Sequence, residues 1–226
     1  MIQDYNRLPL GKYIEICDIC ADKETDELGK QVAILSCLLD ISQDDVLNLP
    51  LAEYKEKSSH LKFLEGLPKA EGRRIGKTYK IGGMVFKPVT AIGRMTTAQY
   101  IDFQTYSADA LHNLPQLCSI FLVPEGHTYN TGYDIVEVQE LFRSTLSVAD
   151  ANEMIAFFLR KFNDSIKGIL LFSRWQARRM RNKTERAKML RRIARAQASL
   201  QESGDGLLMW MQLQRPSDAV GMQSGK

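Results

Sequence analysis

Between Arg174 and Arg195 the chain reads RWQARRMRNKTERAKMLRRIAR: ten basic residues and a single acid, Glu185. Twenty-two residues carrying +9 cannot be packed into a core, because buried charge is costly unless it is paired. The core must therefore be built upstream. The whole chain is 226 residues long and sums to +3, so everything outside the block sums to −6. A mildly acidic body joined to a strongly basic arm points to a binding partner rather than to a reaction.

The rest of the chain can supply that core. An apolar fraction of 44% is ordinary for a globular protein. The longest apolar stretches, such as 169–172 and 207–211, fall far short of the ~20 residues a membrane span needs, so no membrane association is expected. The start, MIQDYNRLPLGKY, lacks the charged-then-apolar pattern of a signal peptide.

Residues 9–65 read as helical. Leu28, Val32, Leu35, Leu38 and Leu39 recur at three-to-four spacing. Ser42 before Asp44 and Asp45 suits a helix N-cap. Pro50 opens a further helix with Leu51, Tyr54, Leu61 and Leu64 as its inner face. The β signal is Lys77–Ile81 and Met84–Val89 around Gly82-Gly83, a two-residue loop in which both positions tolerate positive φ. Pro88 lacks a ladder donor and places that strand at an edge. Thr96 or Thr97 caps the next helix, and 107–123 reads as another with Leu111, Leu114, Leu117 and Phe121 buried. The stretch 124–132 is a loop, 136–141 is helical, and Leu146–Asp150 resembles a helix start. From Ala151 the chain runs without proline to Leu200, with Met154, Phe157, Phe158, Leu159 and Phe162 on its core side.

These readings predict a mainly α protein with a small β-hairpin (α+β), a helical body and a long basic C-terminal helix. Its parts are an N-terminal helical subregion over 1–66, a linker and hairpin over 67–95, a helical core of the same domain over 96–172, and a basic helical extension with a disordered tail over 173–226.

Catalytic signatures are weak. Cys17, Cys20, Cys37 and Cys118 sit among apolar neighbours and read as buried free thiols. The Cys17-Asp-Ile-Cys20 pair lies inside a helical pattern, without the second ligand pair a zinc site needs. Gly72-Arg-Arg-Ile-Gly76-Lys77-Thr78 resembles a phosphate-binding loop but is one residue short, places Glu71 where glycine is required, and runs into a strand. His60, His112 and His127 are scattered, none with a carboxylate or histidine three or four residues on; His127 reads as a surface histidine. No catalytic residue, metal or cofactor is therefore assigned, and the chain reads as a non-enzyme.

The arm itself carries the binding candidates. Leu190, Ile193 and Leu200 share one helical face, flanked by Met189 and Ala196. An apolar stripe within a basic helix suits docking in a protein groove. Phosphate binding is the competing reading, although Trp175 is the block's lone aromatic and base stacking uses more. The partner-contact candidates are Arg174, Trp175, Arg178, Arg179, Arg181, Lys188, Leu190, Arg191, Arg192 and Ile193, with Trp210 in the apolar segment Leu207–Leu213.

In order and texture, residues 8–172 resemble the tail assembly chaperones and related virion-morphogenesis proteins of tailed bacteriophages. The resemblance is carried by Leu10-Gly-Lys-Tyr-Ile14, Glu27–Leu51 with its NLPL break, the Gly-Gly hairpin, Thr96–Phe103, the Tyr129…Gly132-Tyr133 loop and the Phe157-Phe158 helix. It implies a small, mostly helical protein of the host bacterial cytoplasm that binds a tape-measure or other tail protein while the tail polymerises. A nucleic-acid-binding accessory protein and a virion subunit, with copies locked together by the extension, are the alternatives.

Overall fold

A computed structural model of the chain describes residues 2–66, 76–90 and 95–158, together with Lys161, Trp175, Thr184, Ala187, Lys188, Leu190, Arg191 and Ala194. The described residues are mostly helical with one small antiparallel sheet, an α+β architecture.

Pro9, with φ −65°, sets the first helix, α1 (Leu10–Ala21), which buries Leu10, Tyr13, Ile14 and Ile16. The second, α2 (Glu27–Leu39), starts where the Asp26 side chain accepts from Gly29 N–H and ends at Asp40 in the left-handed region (φ 56°). Val32, Ile34, Leu35, Cys37 and Leu38 are its buried residues. Leu28, expected on that stripe, is 58% exposed because it lies in the first turn. Ser42 and Asp45 form a reciprocal capping box on the short α3 (Gln43–Leu47). Pro50 precedes α4 (Leu51–Ser59), which passes into a 3-10 turn, His60–Glu65. Leu61 and Leu64 are buried as expected, but Leu51, at the very start of α4, is 68% exposed.

The Gly-Gly hairpin is present. β1 (Tyr79–Ile81) pairs with β2 (Met84–Pro88), and the loop glycines take φ 54° and 82°. Gly82 faces the Leu141 side chain so closely that a Cβ there would collide with it. Two expectations are corrected by a third strand. Residues 107–123 are not one helix: Ser107–Asp109 is a 3-10 turn, α6 runs Leu114–Phe121, and Leu122–Pro124 is β3. Since β3 pairs with β2, the strand ending in Pro88 is central rather than an edge. Pro88 is tolerated as its last residue, and the next donor, Val89 N–H, bonds Phe121 O at 2.8 Å. The fully apolar run 117–123, apart from Ser119, hid this switch, because a strand and a buried helix look alike when every face is buried.

Thr96 and Gln99 box the start of α5 (Thr97–Tyr106), and the buried Gln99 amide also donates to Ile120 O at 2.7 Å, tying α5 to α6. Asp134 caps α7 (Ile135–Thr145). Ser147 accepts from Asp150 N–H, and residues 148–158 are helical (α8). Residues 8–10 lie alongside 146–148, with Leu10 N–H to Leu146 O and Val148 N–H to Leu8 O, so the first and last described helices start at the same place.

One apolar cluster runs from Leu8 to Phe158. At its centre Phe86 from the sheet meets Phe142 of α7 at 4.9 Å, and Phe121 stacks on Phe158 at 3.9 Å. Met154 and Phe158 are buried and Phe157 is half-buried; Leu159 and Phe162 lie outside the described residues.

Candidate functional site

Of the sequence-derived binding candidates, the structure describes Trp175, Lys188, Leu190 and Arg191; all four are helical and exposed. Trp175 is 46% and Leu190 39% exposed, so two large apolar side chains of the basic block face outward. Arg174, Arg178, Arg179, Arg181, Arg192, Ile193 and Trp210 lie outside the described residues, as do the phosphate-loop-like Gly72–Ile75 and the segment Leu207–Leu213.

The body carries a second surface feature that periodicity did not indicate. Between α1 and α7 lies an open groove of about 580 Å³, lined by Lys12, Glu15 and Asp18 on one wall and Glu140, Arg143 and Ser144 on the other, with Pro9, Gly11 and Ile14 completing it. Gly11 lines it where α1 meets Arg143 of α7. A Cβ there would stand 3.1 Å from both Arg143 Cγ and Arg143 O, so a larger residue would require the neighbour to give by a few tenths of an ångström. Most of the groove charges have a fixed use. Lys12 Nζ bonds Cys37 O at 2.9 Å and pairs with Asp40 at 2.6 Å. Glu15 accepts from the Cys37 thiol at 3.4 Å. Asp18 is held by His112 Nε2 at 2.8 Å, and the other ring nitrogen holds Asp109 at 2.9 Å. Glu140 and Arg143 make no ion pair among the described residues.

The His112 clamp joins α1 to the turn before α6. Bonds to Asp18 first and Asp109 second raise its pKa above the ordinary histidine value. Looking only three or four residues ahead of each histidine missed it: Asp109 stands three residues behind and Asp18 is remote in sequence. The two carboxylates sit on opposite ring nitrogens and do not converge on a common point. Among the described residues no group of three or more His, Cys, Asp or Glu side chains is placed to hold a metal.

The four cysteines are free, and none is an activated nucleophile. Burial pushes the Cys17, Cys37 and Cys118 thiols up to about 12 and raises Cys20 as well. In the 124–132 loop, His127 is exposed with its ring on the edge of Tyr133, whereas Tyr129 is 5% exposed and its hydroxyl donates to Asp102 at 2.8 Å. Tyr129 therefore pins the loop to α5. Among the described residues no helix is long and apolar enough to cross a membrane. No protein family, curated protein or solved structure matches the chain.

Proposed function

We propose that the chain is a non-enzymatic assembly protein of the tailed-bacteriophage tail-chaperone kind, which works in the host bacterial cytoplasm and holds a tape-measure or other tail protein on its basic C-terminal arm. The supporting observation is a separation of roles. Among the described residues the apolar cluster spans Leu8–Phe158, while the described positions of the basic block, including Trp175 and Leu190, are exposed. A surface that mixes arginine with large apolar side chains suits capture of an amphipathic, acid-bearing helix. The tail-protein identity of that helix rests on the resemblance of residues 8–172.

Co-expression with the tape-measure protein and the other tail proteins of the same genome tests this reading. The intact chain should co-purify with at least one of them, and Arg191→Glu with Arg192→Glu should lower the recovered partner severalfold. Failure to co-purify with any tail protein would overturn it. If the arm instead bound DNA with affinity falling steeply with salt, the nucleic-acid reading would replace it.

A further inference from the structure

We infer that Cys17 and Cys20 close into a reversible disulfide within α1, and that closure releases Asp18 from His112. The pair lies three residues apart near the C-terminal end of α1. Both thiols are free and partly exposed, whereas Cys37 and Cys118 are buried. A three-residue step along an α-helix moves Cα by ~5 Å, within the span that a disulfide bridges. The thiols also act on each other: an ionised Cys20 raises Cys17. The Cβ atoms of such a helical pair stand ~5–6 Å apart, wider than the ~3.8 Å mean across a disulfide, so closure must turn the peptide units between them. Those units belong to Asp18 and Ile19.

Bonds at this turn resist that rotation. Asp22 N–H bonds Asp18 O at 3.1 Å, Lys30 Nζ bonds Cys20 O at 3.0 Å, and His112 Nε2 holds the Asp18 carboxylate at 2.8 Å. The His112 ring is fixed from its other side by Asp109, on the turn before α6, and so cannot follow Asp18. A disulfide closed against this resistance is strained, and strained disulfides are the readily reduced ones.

A low-molecular-weight disulfide such as oxidised glutathione is the oxidant. The Cys20 thiol loses its proton and attacks one glutathione sulfur; the glutathione S–S bond breaks and one glutathione leaves as a thiolate that takes up a proton. Cys17, deprotonated in turn, attacks the Cys20 sulfur of the mixed disulfide and expels the second glutathione. Two protein thiols are oxidised and one glutathione disulfide is reduced to two thiols. Cys20 attacks first because the nearby Lys30 ammonium opposes the rise that burial causes. Burial pushes Cys17 up to about 12 despite its hydrogen bond with Tyr13. With both thiols raised, exchange is slow, and the pair responds to a sustained oxidising poise rather than acting as a catalyst.

The test is incubation of the full folded chain with oxidised glutathione in mildly alkaline buffer, then an acid quench, alkylation in denaturant, trypsin and mass spectrometry. Cleavage after Lys12 and Lys23 leaves both thiols in one peptide, residues 13–23, which holds no other cysteine. That peptide should emerge two hydrogens lighter and unalkylated, with Cys37 and Cys118 alkylated, and dithiothreitol should restore both alkylation sites. Two alkyl groups on the peptide after oxidation, or a glutathione adduct that never closes, would overturn the inference. Cys17→Ser should trap glutathione on Cys20, whereas Cys20→Ser should leave Cys17 unmodified; the opposite pattern would overturn the order of attack. The release of Asp18 is read by NMR. In the oxidised chain the raised His112 titration should move toward the ordinary histidine value, and in a Cys17→Ser, Cys20→Ser chain treated alike it should stay where it was. A closed disulfide with an unmoved His112 would overturn the release.

Discussion

Residues 1–158 contain 22 acidic and 15 basic residues, whereas residues 159–226 contain 5 and 15. The two regions also treat large apolar side chains differently. In the body Phe86, Phe142 and Phe158 are almost wholly enclosed, and most exceptions, such as Leu28, Leu47, Leu51 and Val136, stand at helix ends where cover runs out. In the arm Trp175 and Leu190 are exposed among arginines and lysines. Apolar residues next to dense like charge cannot collapse into a common core, because the charges would be desolvated with them. The body thus encloses most of its large apolar side chains, whereas the two described in the arm are exposed.

The largest test of that contrast is in the body. Phe142→Ala removes a fully buried ring that contacts Phe86, and should cost about 3–5 kcal/mol in chemical denaturation. A loss under 1 kcal/mol would mean that the sheet and α7 do not share one core. Gly82→Ala comes next. It places a Cβ against Leu141 at a positive φ, and a cost of about 2 kcal/mol is expected. An unchanged denaturation midpoint would show that the hairpin turn does not dock on α7. Thr96→Ala removes the α5 cap and should cost about 1 kcal/mol, with Gln99 left to hold Ile120 O.

The smallest effect concerns pH. The folded-state pKa of His112 is raised, so the clamp's contribution is fully present below the ordinary histidine value near 6.5 and fades as pH rises through the folded value. The ring is half-exposed, so the effect on stability is slight. An NMR titration should find His112 above the ordinary value, moving back toward it in Asp18→Asn. A titration already at the ordinary value in the unaltered chain would remove the clamp.

What the sequence made legible was local chemistry. Ser42 and Thr96 were readable as caps because a side-chain oxygen and a backbone N–H lie within one turn. Gly82-Gly83 was readable because few other residues accept two successive positive φ values. What stayed hidden depends on distant partners. β3 follows a helix without any change in polarity, and only its pairing to β2 makes it a strand. Leu28 and Leu51 obey the helical period yet fall beyond the end of their neighbours. The groove needs Gly11 and Arg143 to meet, and the His112 clamp needs Asp18, 94 residues away. The charged arm was the easiest feature to find by composition, and only Trp175, Lys188, Leu190 and Arg191 of its candidates are among the described residues.

The most direct test of the division between body and arm is thermal unfolding of the full chain beside a Leu190→Ser, Arg191→Glu, Arg192→Glu variant. Both are measured dilute enough that self-association does not raise the midpoint. If the arm lies outside the fold, the two midpoints agree within about 2 °C, as surface changes generally do. A variant midpoint lower by about 5 °C or more would show that the basic block is part of the folded core, and would contradict the division.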